Sequence, residues 1–137
     1  MNSRLGLLIL CFFLSHRVFA EWARQGDAEF SVDLYNVEVN VNADGTSTLI
    51  GEELLTVLKE SARQSLGSRN FSYNPMETAI TILEAETINV DKKVPVKKEN
   101  IEDKPLASNV TGFDNTHQIL IAYPEVKVGS KIRLKYK

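Results

Sequence analysis

From Tyr35 to Asn42 apolar and polar residues alternate without a break, with Tyr35, Val37, Val39 and Val41 on one side and Asn36, Glu38, Asn40 and Asn42 on the other. A period of two marks a half-buried strand, because successive Cβ atoms point to opposite faces. Asp44-Gly45 follows directly and suits a two-residue hairpin loop, whose central positions need positive φ. The returning strand therefore begins near Thr46 and runs to about Val57. From Gly51 to Gly67, Leu54, Leu55, Leu58, Ala62 and Leu66 also recur at helical spacing among good helix formers. A short helix after the strand, with Gly67 as a candidate C-cap, accommodates both patterns.

Phe71-Ser72-Tyr73-Asn74-Pro75 breaks the rhythm and reads as a connection whose two aromatics pack back onto the sheet. A long strand is expected from about Glu77 to Val90. Its apolar positions change phase between Ile80/Ile82 and Leu83/Ala85, which indicates a bulge or burial on both sides. Asp91-Lys92-Lys93 makes a turn, and Val94 to Val96 returns as a short strand whose Pro95 suits a sheet edge. Lys97 to Asn115 is polar and loop-rich, punctuated by Pro105 and Gly112. Gln118 to Tyr123 and Lys131 to Tyr136 form the last strands, joined by a turn through Pro124 and Gly129-Ser130. In the final strand Ile132, Leu134 and Tyr136 face in, while Lys131, Arg133, Lys135 and Lys137 face out. Short strands with turn signals at these spacings predict a mainly β fold: an antiparallel β-sandwich or open barrel with one short helix.

The N-terminus belongs to a different layer of organisation. Arg4, the apolar run Leu5 to Leu14, and Val18 and Ala20 at the minus-three and minus-one positions describe a signal peptide, residues 1–20, cleaved after Ala20. The run is about half the length a membrane-spanning helix needs. Leu8-Ile9-Leu10-Cys11 superficially resembles a lipid-anchor site, but Leu10 is too large for the position before such a cysteine. Cleavage leaves one β-rich domain, 21–137, without a cysteine, so it has no disulfide and no thiolate nucleophile or ligand. Its charge becomes about −4, with 14 basic against 18 acidic residues, which argues against nucleic acid as a partner. The expected location is extracytoplasmic, either periplasmic or secreted, with no membrane contact after cleavage. The chain stops within two residues of its last strand pattern, as a truncated piece or the first module of a longer protein would.

The order of these features resembles the domain of unknown function found ahead of transglutaminase-like domains in exported bacterial proteins. The matching elements are the alternating strand ending in Asp44-Gly45, the Phe71 to Glu77 connection with Tyr73, and the strand with Ala85 that leads into the Asp91 turn. The most specific is Tyr123-Pro124-Glu125-Val126-Lys127-Val128-Gly129-Ser130-Lys131-Ile132, similar to the family's aromatic-Pro, Val-x-Val-Gly-Ser-x-Ile close. Departures are Asp91-Lys92 where the family usually has Asp-Gly, and the absence of strands after Tyr136. The resemblance implies an exported β-sandwich-like domain, attached to a papain-like thiol-enzyme fold and holding no assigned catalytic residue.

The residues themselves offer little chemistry. A thiol-enzyme site needs a thiolate, a histidine and an orienting group. The mature chain has no Cys, and its single histidine, His117, reads as a surface or turn residue; alone it is also too little for zinc. Glu84 and Glu86 share a strand face about 7 Å apart, inside the inverting-glycosidase range, but paired outward glutamates are ordinary on a solvated sheet. Glu52 and Glu53 point to opposite faces. No phosphate-cradling loop, nucleophile elbow or dinucleotide fingerprint occurs. No cofactor is expected. Asn70-Phe71-Ser72 and Asn109-Val110-Thr111 match glycosylation acceptors, without consequence in a bacterial chain. Lys127, Lys131, Arg133, Lys135 and Lys137 form the candidate binding surface, for an anionic polymer or an acidic partner; the competing reading is that lysines guard an edge strand. The expected role is a non-catalytic accessory or interaction domain whose partner is a C-terminal transglutaminase-like domain or another envelope protein. The alternative is a stand-alone binding protein.

Overall fold

The computed structural model describes residues 25–106 and 115–137. The signal segment read at 1–20 and the acceptor at Asn109-Val110-Thr111 lie outside the described residues. In chain order the elements are β1 (Phe30–Val41), β2 (Ser47–Val57), α1 (Glu60–Leu66), β3 (Ser68–Tyr73), β4 (Ile82–Ile88), β5 (Lys93–Pro95), β6 (Ile101–Pro105), β7 (His117–Ala122) and β8 (Lys131–Tyr136). Single 3-10 turns at Gln25–Asp27 and Lys98–Asn100 precede β1 and β6. All pairings are antiparallel, in a five-stranded sheet β1-β2-β8-β4-β5 and a three-stranded sheet β3-β7-β6. The two sheets pack as a sandwich, which decides between the two architectures the sequence left open.

Alternation builds the core. Leu55 and Val57 of β2, Ile132 and Leu134 of β8, and Ile119 and Ile121 of β7 meet between the sheets, with Tyr123 beside them and Ala62 and Leu66 of α1 closing one end. Gly51 has its own reason to lack a side chain. It stands opposite Tyr136 in the β2–β8 register, and a Cβ there would overlap the Tyr136 ring, which also packs on Phe71 at 4.9 Å between centroids. Gly51→Ala is therefore expected to destabilise the domain by about 1–3 kcal/mol, the usual scale of overpacking. Urea unfolding reads the effect, and an unchanged midpoint would mean that the ring swings away freely.

Several sequence expectations need correction. The β1–β2 hairpin is not a two-residue Asp-Gly loop: the Asn42 N–H donates to the Thr46 carbonyl, the Gly45 N–H donates to the Asn42 carbonyl, and Gly45 alone takes positive φ, at 85°. This is a turn followed by a left-handed glycine, the three-residue form. Gly67 does cap α1 at its C-terminus, though in a right-handed conformation with φ −64°. The Phe71 connection is instead strand β3, although its aromatics do pack against the core. The long Glu77–Val90 strand is shorter, with its bulge where the phase shift falls, between Ile82 and Glu84. The polar stretch after Lys97 contains β6.

The largest correction concerns β1. It begins at Phe30, and its register shifts at Asp33, which breaks the apolar period before Tyr35. It is not half-buried: Tyr35 is 68% exposed and Val41 73%. The cause lies in how the sheets overlap. Arg69 of β3 is bonded to Glu53 of β2, Phe71 of β3 lies on Tyr136 of β8, and Thr87 of β4 is fully buried. The smaller sheet thus covers β2, β8 and β4 and stops short of β1.

Candidate functional site

The basic row is the candidate surface, and alternation does place Lys131, Arg133 and Lys135 on the outer face of β8. Lys127 sits apart in the β7–β8 turn, and Lys137 follows the strand. The edge-guarding reading fails, because β8 is the middle strand of the larger sheet. Its neighbours lay carboxylates against it. Lys131 Nζ lies 2.5 Å from Asp33, Arg133 bonds Glu52 at 2.6 Å and approaches Glu84 at 3.6 Å and Glu86 at 3.9 Å, and Lys135 lies 3.9 Å from Glu52. Glu86, whose side chain is only 11% exposed, is also met by Lys93 at 3.5 Å. Glu84 and Glu86 do share a face, but as the acidic half of this network.

The charges answer one another. The hydrogen bond from Lys131, with a second from Thr56, holds Asp33 below the ordinary carboxylate range, and Arg133 does the same for Glu52. A depressed folded-state pKa stabilises the fold above the unfolded value and stops doing so as pH falls through the folded one. The urea midpoint is therefore expected to hold from neutral pH to about pH 5 and to drop below about pH 4, with Asp33→Asn flattening part of that drop. A midpoint as high near pH 3 as at neutrality would contradict this assignment.

Glu53 points the other way, into the sandwich, as its parity with Glu52 requires. Arg69 grips it with two bonds, Nε to Oε1 and Nη2 to Oε2, both 2.8 Å. This fork joins β2 of one sheet to β3 of the other. Reading single strands could not find it, because periodicity says which residues face inward and not what they meet.

A further polar group escaped the sequence reading. At one end of the smaller sheet the Tyr73 hydroxyl donates to Asp103 Oδ2 at 2.7 Å, and His117 Nδ1 lies 3.2 Å from Asp103 Oδ1. A carboxylate can only accept, so the proton in that contact sits on Nδ1. The Tyr73 bond, and after it His117, lowers the Asp103 pKa, while Asp103 raises that of Tyr73. The chain's single cysteine, Cys11, is remote from this cluster in sequence. Among the described residues no three His, Cys, Asp or Glu side chains could hold a metal together.

The terminal motif turns out to be architectural. Gly129 takes φ 88° and donates its N–H to the Val57 carbonyl, while the Ser130 carbonyl receives the Val57 N–H. Ser130 Oγ donates to Asn89 Oδ1 at 2.5 Å and accepts the Lys127 N–H at 3.0 Å. The motif thereby ties the β7–β8 turn to the ends of β2 and β4.

Sheet order, inward ion pair and tied turn together define a small β-sandwich module with polar networks built for architecture. The model of the family described as a Domain of Unknown Function with solved structure (DUF3857) matches residues 43–137, and the chain belongs to that family. Among solved structures, a chain described as a candidate protease from Parabacteroides distasonis ATCC 8503 shares the fold, with TM-score 0.73 and 19% identity over 79% of this chain and 22% of that one. This chain therefore spans about a fifth of the length of that protein. No curated protein matches. Among the described residues no helix is long and apolar enough to cross a membrane.

Proposed function

We propose that the chain is a non-catalytic accessory and interaction domain of an exported protein that carries a transglutaminase-like domain. The observation that carries the reading is the use of this fold as 22% of a much longer chain, described as a candidate protease. Two features of this chain support it. Its one cysteine lies in the export segment, so the mature domain brings no thiolate to a thiol-enzyme reaction. Lys131, Arg133 and Lys135 stand beside Asp33, Glu52, Glu84 and Glu86 on the outer face, and Arg69 is spent on Glu53 between the sheets. The partner is then the transglutaminase-like domain itself or another envelope protein, in the periplasm or outside the cell. The alternative, a stand-alone binder of anionic polymers, draws no support from a row in which Lys131, Arg133 and Lys135 each stand beside a carboxylate.

The test is activity of the exported chain and of His117→Ala against casein and against amine-transfer substrates. Neither protein should turn over either substrate. Turnover by the wild type that His117→Ala abolishes would overturn the reading.

A further inference from the structure

β2 is longer than one of its two neighbours. β1 accompanies it from Ser47 to Val57, whereas β8 pairs with it only from Gly51, opposite Tyr136, to Thr56, opposite Lys131. On the β8 side, Ser47 to Ile50 therefore have no strand beside them among the described residues. The other flank of β8 also runs on. Thr81 and Lys137 exchange both backbone hydrogen bonds, at 2.7 and 2.9 Å, one residue beyond the β4–β8 register. The segment leading into β4 thus lies along the line of β8.

Between these flanks lies a slot of about 750 Å³, with Ser47 and Leu49 on one wall, Ala79 and Ile80 on the other, and Tyr136 and Lys137 at its inner end. Only β8 separates β2 from β4, so the slot has the width of one strand: two spacings of about 4.8 Å set the flanks about 9.5 Å apart. The backbone suits a strand as well. Val57 donates its N–H to the Ser130 carbonyl and accepts the Gly129 N–H, so both of its groups are directed toward β8. Alternate residues of a strand repeat that direction, which turns the groups of Gly51 toward Tyr136 and those of Leu49 and Ser47 into the slot. The side chains add an apolar seat. Leu49 shares the interior face of β2 with Leu55 and Val57, and Ile80 packs at the margin of the core.

We propose that the slot receives an extended segment of the longer polypeptide, running on from Lys137 in the line of β8; the proposal rests on the accessory reading. Counted on from the Gly51–Tyr136 pair, Lys137 falls opposite Ile50, and three further residues fall opposite Leu49, Thr48 and Ser47. The first of the three exchanges backbone hydrogen bonds with Leu49 and sets an apolar side chain between Leu49 and Ile80. The second faces solvent beside Thr48, and the third turns inward again beside Ser47. A continuous strand bonded on its β2 side fixes the direction in which the module meets the rest of the protein, which a flexible linker does not.

Amide hydrogen exchange of the native exported product, taken from its own cells, against residues 21–137 expressed alone tests the proposal. The Leu49 and Ser47 amides should exchange at least about tenfold more slowly in the native product, while those of Thr48 and Ile50, which face β1, should exchange alike in both. Leu49→Lys should leave the urea midpoint of residues 21–137 unchanged, because Leu49 is 40% exposed there, and should abolish the extra protection of the Ser47 amide in the native product. A native product much longer than residues 21–137 whose Leu49 amide exchanges as fast as in those residues alone would overturn this proposal and leave the accessory reading standing. A native product with the mass of residues 21–137 would overturn both. Protection that is lost on dilution would place a strand of another molecule in the slot and overturn the proposal as well.

Discussion

Arg69→Met is expected to lower the stability of the domain by about 2–3 kcal/mol, at or just below the foot of the roughly 3–5 kcal/mol range for breaking a buried ion pair. The argument turns on which partner is left behind. Glu53 has a side chain only 8% exposed, and its two oxygens take their hydrogen bonds from Arg69. Without the guanidinium, a carboxylate remains enclosed between the sheets near Tyr123, whose phenol is already pushed up by burial and by the Glu53 charge. Arg69 is itself 36% exposed, so water replaces part of what is lost, and this holds the effect below the top of the range. The double variant Glu53→Met/Arg69→Met should recover most of the loss, because removing both charges leaves nothing unpaired. Urea unfolding at neutral pH measures all three proteins. A single variant as stable as the wild type would show that the fork contributes nothing.

Ser130→Ala should cost about 2–3 kcal/mol, because one small hydroxyl satisfies a buried amide oxygen and a part-buried backbone N–H. Ser130 is 1% exposed and Asn89 6%, and the Oγ between them donates to Asn89 and accepts from the Lys127 N–H. Alanine leaves the buried Asn89 amide oxygen and the part-buried Lys127 N–H without this partner. Asn89→Ala should cost a similar amount, and the double variant clearly less than the sum, since the two residues share one network. Ser72→Ala, on the exposed side of β3, is the control and should stay within about 0.5 kcal/mol of wild type. Equal effects for Ser72 and Ser130 would refute the architectural role of the Gly-Ser motif.

What could be read from the sequence depended on how each strand is buried. β7 and β8 have one face in the core, so alternation marks them clearly, and the inward set of β8 emerges as expected. β6 is an edge strand made of charged residues and β3 carries Arg69 on its inward face, so neither shows an apolar row. β1 shows the cleanest alternation and is nevertheless exposed, because a pattern records what a strand can bury and not what arrives to cover it. The basic row was legible as a shared face. Its neutralisation was not, since Glu52 lies 81 residues from Arg133 and Asp33 lies 98 from Lys131. The Tyr73–Asp103–His117 cluster draws residues from three strands, of which two, β3 and β6, look like connecting chain in the sequence.

The intact mass of the native exported product, captured from its own cells with an antibody raised against residues 21–137, tests the accessory role most directly. An accessory domain of a larger enzyme-bearing protein predicts a mass several times that of this module. A mass equal to residues 21–137 alone would contradict that role and leave a stand-alone module.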